Sequence, residues 1–369
     1  MNKKQKIIIS VTNDLVADNR VHKVASSLIK LGFEIVLVGR VIKGSLPINR
    51  DYKTKRFKLL FNKGAMFYAC YNIRLFLFLL FAKADIFLSN DLDTLPANFT
   101  ASKIRKKKLV YDSHEYFTEV PELVNRPNIK RIWENIEKRI LPKLKNTYTV
   151  CNSISEIYNK KYNINMKVVR NIPKCSEITE EKIKTNLPKD IIDKKIIIYQ
   201  GAVNVGRGIE QVIKAMQYVE NAKFVIVGNG DIFDDIKKLT SDLKLNDKVY
   251  FTGKIPLNEL FAYTQKADIG ISIEENIGLN YYYALPNKLF DYIRANVPII
   301  ASHLPEIENI VTTYNIGCFI ENHKPEHIAE KINLMLNSPE KVQLWKNNLK
   351  KASAELCWEN EEKVLEEIF

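Results

Sequence analysis

Short apolar runs alternate along this chain with stretches whose apolar positions recur every three or four residues. In the first half, Lys6–Val11, Glu34–Gly39, Ile86–Ser89, Leu109–Asp112, Lys145–Cys151 and Lys167–Val169 are predicted strands. A helix is predicted over Arg20–Leu31, with Gly32 as its C-terminal stop. The rhythm restarts with strands at Lys195–Gln200, Lys223–Val227, Val249–Thr252, Ile269–Ile273 and Pro298–Ala301. Pro339–Phe369 reads as one or two helices. Strands that alternate with amphipathic helices predict an α/β class with parallel sheets. The charge-rich segment 170–194, with Pro173 and Pro188, separates the two halves and reads as a linker. At 369 residues the chain is too long for one average core. Two Rossmann-like domains follow, residues 1–172 and 173–354, with ligands expected at the carboxyl ends of the strands and in the cleft between the domains.

One apolar stretch stands apart. Ala65 to Ala82 is interrupted only by Tyr68, Tyr71, Asn72 and Arg74. A span needs about 20 apolar residues, and a charged residue at mid-span is costly. A buried core helix is favoured, ahead of a helix lying on a membrane surface. Lys and Arg total 56 against 43 Asp and Glu, a net charge of +13. That charge points to anionic partners, or simply to a solvated, soluble surface. The five cysteines, Cys70, Cys151, Cys175, Cys318 and Cys357, form no CxxC pair, so neither a disulfide framework nor a zinc site is expected. Met1 to Lys6 leads into about five apolar residues, too few for the apolar core of a signal peptide.

Four polar constellations carry candidate chemistry. Tyr199-Gln-Gly-Ala-Val-Asn-Val-Gly-Arg-Gly208 joins a strand to the predicted helix Ile209–Val219. Gly206 and Gly208 would let backbone approach a ligand, and Arg207 brings a planar fork suited to phosphate. Val227-Gly-Asn-Gly-Asp231 lacks the third glycine of GxGxxG, because Phe233 holds that position. Gly228 therefore reads as a tight turn lining a nucleotide cleft rather than as a dinucleotide fingerprint. Ala284-Leu-Pro-Asn-Lys-Leu-Phe-Asp-Tyr292 starts a helix with Asn287 as the expected N-cap and with Lys288 and Asp291 one turn apart. A cation at a helix start is locally unfavourable, which implies an anion at that spot. Asp291 suits a vicinal diol such as ribose. Upstream, Glu274 to Tyr283 is a Gly/Asn loop with an aromatic cluster, and Asn280 within it could shape a sugar pocket.

The fourth constellation is Val110-Tyr-Asp-Ser-His-Glu-Tyr-Phe117. It sets His114 and Glu115 just past a strand end, on the ligand side of a parallel sheet. Asp18, Asn19 and Arg20 follow the first strand in the same way, as do Asn90, Asp91 and Asp93 after Ile86–Ser89. The DxD at Asp91 and Asp93 reads as a hydrogen-bonding pair in preference to a metal site. GxxxxGK[ST], GxSxG and HExxH are absent, and basic residues are not interleaved with aromatics in a nucleic-acid pattern.

Together and in this order, these segments resemble the retaining GT-B glycosyltransferases of family 4, within glycosyl transferases group 1. The most specific parts are Asp85 to Pro96, Val110 to Glu115, Gly201 to Gly208 and Pro286 to Pro298. The resemblance implies two facing Rossmann-like domains, with a C-terminal helix of about residues 355–369 crossing back to complete the first. It places the nucleotide-sugar donor on the second domain and the acceptor on the first. Arg207 falls on the family's diphosphate-gripping position. Ala202 replaces a second basic residue, and Lys288 resembles its substitute. Asp291 matches the ribose-holding carboxylate, and Tyr283 stands where the family has another Glu. His114 matches the histidine near the reacting centre, making His114, Arg207 and Lys288 the catalytic candidates. Donor contacts are assigned to Gly206, Arg207, Gly228, Asn280, Asn287, Lys288 and Asp291. Asp18, Arg20, Asp91 and Glu115 face the acceptor.

The implied reaction moves a sugar from a nucleoside diphosphate sugar to a glycan or lipid-linked acceptor with retention, in cell-surface polysaccharide synthesis. It uses no cofactor, no metal and no nucleic acid. A nucleotide-sugar 2-epimerase and a non-catalytic nucleotide-sugar binder are the alternatives. The cysteine pattern suggests a reducing cytoplasm, and the apolar stretch with Lys103-Ile-Arg-Lys-Lys-Lys108 suggests peripheral contact at the anionic inner face of the membrane.

Overall fold

The computed structural model describes residues 4–16, 18–175 and 185–369. The chain divides into two units, residues 1–171 with Glu361–Phe369 and residues 172–360. Unit 1 holds seven parallel strands: β1 (Lys6–Asp14), β2 (Glu34–Arg40), β3 (Lys53–Phe57), β4 (Ile86–Asn90), β5 (Lys108–Ser113), β6 (Asn146–Thr149) and β7 (Met166–Val168). Their order is β3-β2-β1-β4-β5-β6-β7. Ile7, Ile8 and Ile9 of β1 are fully buried, as a central strand covered on both faces requires. Ile8 pairs with Val36 on one side and Phe87 on the other.

Unit 2 holds β8 (Lys195–Gln200), β9 (Ala222–Val227), β10 (Val249–Gly253), β11 (Ile269–Ser272), β12 (Ile299–Ser302) and β13 (Gly317–Ile320), in the order β10-β9-β8-β11-β12-β13. In each unit the chain builds outward one way from a central strand and then the other. The reversal falls between β1 and β4 in unit 1 and between β8 and β11 in unit 2. A crevice opens at the carboxyl ends of strands where such a reversal occurs.

Two strands carry no sequence signal. β3 is Lys-Thr-Lys-Arg-Phe, largely exposed at an edge, where long cations discourage further pairing. β13 is four residues of the opposite edge, too short to show a period.

The apolar stretch is a helix over Gly64–Phe81, and the core reading holds for one stripe only. Phe67, Tyr71, Leu75 and Leu79 recur every fourth residue and are buried, and the Tyr71 hydroxyl donates to the Val11 carbonyl. Met66, Ile73, Leu77 and Phe81 stay exposed on the other flank.

Glu361–Phe369 is built into unit 1. Glu361 accepts hydrogen bonds from the Arg170 N–H at 2.7 Å and from its guanidinium at 2.5 and 3.0 Å. Glu362 accepts from the Ser27 hydroxyl, Leu365 is fully buried, and Phe369 meets Phe33 edge-on.

Candidate functional site

The polar cluster of unit 2 centres on a carboxylate that the sequence reading left inside a connecting loop. Glu274 lies two residues beyond β11 and is fully buried. Lys288, in the first turn of the helix Asn287–Arg294, sets its ammonium 2.5 Å from Glu274 Oε1. Arg207, in the loop after β8, reaches within 3.9 Å of the same oxygen. Ser272 Oγ donates to Oε2 at 2.9 Å. Two rings complete the group, with Lys288 Nζ 4.3 Å from the Tyr199 centroid and the Arg207 guanidinium 4.7 Å from that of Tyr281. Burial works to raise the Glu274 pKa, but Lys288 and Arg207 outweigh it, and the carboxyl is held below its ordinary value. The cluster is ionised and carries one net positive charge, at the carboxyl ends of the two strands that flank the chain reversal.

Several predicted features change here. The protein's own Glu274 lies beside Lys288, which is buried against it. Asn287 is not the helix cap. Pro286 occupies that position in extended backbone, and Asn287 is the first helical residue, exposed. Asp291 accepts a hydrogen bond from Gln200 Nε2 at 2.8 Å, and Gln200 Oε1 in turn accepts from the Thr264 hydroxyl at 2.6 Å. The carboxylate is thus oriented by a relay from β8. At Gly206 a Cβ would sit 2.5 Å from the Ile277 side chain, so this glycine lets the loop pack against the segment after β11. At Gly228 a Cβ would lie 1.9 Å from the Gly201 carbonyl oxygen, so this glycine allows two loops of unit 2 to touch. Asn280 is half-buried in the short helix Leu279–Tyr282.

In unit 1 the predicted residues gather around His114. Its Nε2 lies 3.1 Å from both Asp112 Oδ2 and Asn90 Oδ1, and its Nδ1 lies 3.3 Å from Asp91 Oδ2. Burial alone would lower the histidine pKa, but Asp91 and Asp112 prevail and push it up to about 9. His114 is therefore an imidazolium at neutral pH. Asp91, at a positive φ of 56°, opens the helix Asp91–Arg105 and accepts the His114 N–H at 2.8 Å. Arg20 is turned inward. Its guanidinium grips Asp112 at 2.7 and 3.1 Å and donates to the Val169 carbonyl at 2.8 Å. Asp18 caps the helix Asn19–Lys30 through the Val21 N–H at 3.1 Å.

Glu115, Asp91 and His114 line a cavity of about 340 Å³ together with Tyr68, Phe117 and Trp133. Asp93, also lining it, is pushed up to about 7, by burial first and by Asp91 next, and accepts the Thr12 hydroxyl at 2.6 Å. A second cavity, of about 370 Å³, lies at the amino ends of β5 and β6 and is lined by Lys103, Lys106, Lys107, Lys108, Lys143 and Lys145. Arg105 donates to the Leu79 and Ala82 carbonyls at 2.6 Å, which brings the end of the half-exposed helix Gly64–Phe81 beside these lysines.

Glu274 was legible only as an acidic residue shortly after an apolar strand. Its partners come from segments that the fold, not the spacing, brings together.

Residues 179–352, just under half of the chain and nearly all of unit 2, match the family Glycosyl transferases group 1. The chain spans about half the length of the first curated relatives it matches. It is 28% identical over 149 residues to the alpha-monoglucosyldiacylglycerol synthase of Streptococcus pneumoniae, covering 38% of this chain and 32% of that one. Among solved structures it resembles the sucrose-phosphate synthase of Thermosynechococcus elongatus, with a TM-score of 0.79 at 17% identity, over 99% of this chain and 98% of that one. It also resembles Anabaena HepE in complex with UDP-glucose, with a TM-score of 0.73 at 13% identity and 98% of each chain covered. At these identities the structural likeness concerns the fold, which is GT-B.

Proposed function

We propose that the chain is a retaining glycosyltransferase that moves a sugar from a nucleoside diphosphate sugar to a glycan or lipid-linked acceptor. One observation carries the reading. Within the region matching glycosyl transferases group 1, two cations converge on the carboxyl ends of β8 and β11, with a pre-oriented carboxylate, Asp291, beside them. A diphosphate needs positive charge that strengthens as the bond to the sugar breaks. Arg207 is its first partner, being partly exposed and only loosely held by Glu274. Lys288 supplies charge from the buried side, and Glu274 fixes its position. These two groups bring the charge that a metal would otherwise supply. Asp291, steadied by Gln200, accepts the ribose hydroxyls.

Retention proceeds by attack of the acceptor hydroxyl on the face that the diphosphate leaves. The leaving phosphate takes the proton, and no side chain serves as nucleophile. By the family resemblance, His114 is the residue assigned to the reacting centre. The acceptor occupies the cavity of unit 1, whose aromatic rings stack on sugar faces and whose carboxylates accept sugar hydroxyls. HepE was solved with UDP-glucose, so uridine diphosphate sugars head the panel of candidate donors. The lysine-lined cavity and the exposed flank of the helix Gly64–Phe81 support a cytoplasmic enzyme resting on an anionic membrane surface.

A thermal-shift panel of nucleoside diphosphates and their sugars tests the donor site, because ligand binding to the native state raises the melting temperature. At least one base should stabilise the protein, and Arg207→Ala should reduce the shift. A panel without any shift would sink the reading. Incubating the stabilising donor alone separates transfer from epimerisation, since an epimer formed without acceptor would favour the latter.

A further inference from the structure

We propose that Cys175, Cys357 and Glu359 form a binding site for a thiophilic divalent cation of the zinc type. The two sulfurs and a Glu359 carboxylate oxygen lie within 4.8 Å of one another. In a tetrahedral zinc site, metal–sulfur bonds of about 2.3 Å and metal–oxygen bonds of about 2.1 Å place such donors about 3.5–3.8 Å apart. Closing the group onto a cation therefore takes side-chain movements of about an ångström. No CxxC spacing announces the site, because its donors come from two distant stretches of chain. Cys175 lies just after the unit boundary at residue 172, and Cys357 and Glu359 lie just before the one at 360.

The backbone already joins these stretches. The Trp358 N–H donates to the Pro173 carbonyl at 2.9 Å, and the Cys175 N–H donates to Glu359 Oε2 at 2.8 Å. Asn360 Nδ2 donates to Cys357 Sγ at 3.5 Å. Donors of this kind, which fix a ligating carboxylate and a ligating sulfur, are what a metal site needs around it. Cys357 is buried and Cys175 half-buried.

A coordinating dication holds its thiols as thiolates. Three protein donors leave the fourth position to water. The cation ties the stretch of chain that enters unit 2 to the stretch that leaves it.

The test uses the full chain, reduced with a phosphine, freed of reductant and titrated with Co²⁺ alone. One equivalent should produce the near-ultraviolet thiolate-to-cobalt band and the intense visible bands of a tetrahedral site, and Zn²⁺ should bleach both. Cys175→Ser and Cys357→Ser should each remove the thiolate band or weaken metal affinity roughly tenfold or more. Cys318→Ser should leave the titration unchanged. The wild-type spectrum decides even if a serine variant fails to fold. A reduced wild-type protein without the thiolate band overturns the proposal, as does a band that survives both serine substitutions. A protein that has lost two hydrogens to a Cys175–Cys357 disulfide, and that binds no cobalt once reduced, overturns it in favour of a redox pair.

Discussion

Lys288→Met leaves the buried Glu274 with Arg207 as its remaining cationic partner. At the effective dielectric of about 20 that suits protein sites, a unit pair at 2.5 Å attracts by about 7 kcal/mol and one at 3.9 Å by about 4 kcal/mol. Those gross figures are offset by desolvation, and breaking a buried pair costs about 3–5 kcal/mol net. Because Arg207 remains, the low end applies, and Lys288→Met should destabilise unit 2 by about 3 kcal/mol. Adding Glu274→Leu removes the stranded charge and fills the site with apolar volume. The double variant should recover most of the loss, giving a coupling energy of about 2 kcal/mol or more. Urea unfolding measures the difference. Hydrogen exchange at β8 and β11 assigns it to unit 2, which matters because two units need not unfold together. A double variant that loses as much as the sum of its singles would refute the buried-pair account. So would a Lys288→Met protein within about 0.5 kcal/mol of wild type.

Arg207→Ala should weaken binding of the stabilising nucleoside diphosphate by about tenfold to a hundredfold, the worth of charge-assisted hydrogen bonds. Calorimetry checks this, and circular dichroism should show the fold unchanged. His114 has a folded pKa raised to about 9 from 6.5. Its contribution to stability is full below pH 6.5 and lost as pH rises through 9, and it amounts to about 3 kcal/mol. His114→Gln should flatten that part of the stability–pH curve, and an unchanged slope would reject the imidazolium assignment. Lys103→Glu with Lys106→Glu should reduce flotation with anionic liposomes at low salt, at roughly 1 kcal/mol per lysine. Equal flotation of variant and wild type would remove the membrane reading.

The central strands were legible because burial on both faces forces continuous apolar runs, as at Ile7–Ile9 and Ile196–Ile198. β3 was not, because an exposed edge selects for charge and erases the apolar signal. Arg207, Lys288 and Asp291 of unit 2 and His114 of unit 1 were singled out from residue type at strand ends and helix starts. Glu274 was missed because a carboxylate after a strand is ordinary until β11 is known to lie beside β8. Arg20 was assigned to the acceptor because its position after β1 is legible, whereas its turn inward onto Asp112 depends on a residue far along the chain. The cysteines were set aside on spacing, and their proximity depends on where two distant stretches of chain meet.

The seating of Glu361–Phe369 in unit 1 bears on how the protein is made. At about 5–20 residues per second, a ribosome needs about 10–40 s to synthesise residues 172–360. Throughout that interval the first 171 residues exist without Leu365 and Ile368, which fill part of their core. Unit 2 is complete before unit 1 is, which reverses the usual N-terminal-first order. A premature stop near codon 360 would thus leave the second-made unit intact and harm the first-made one.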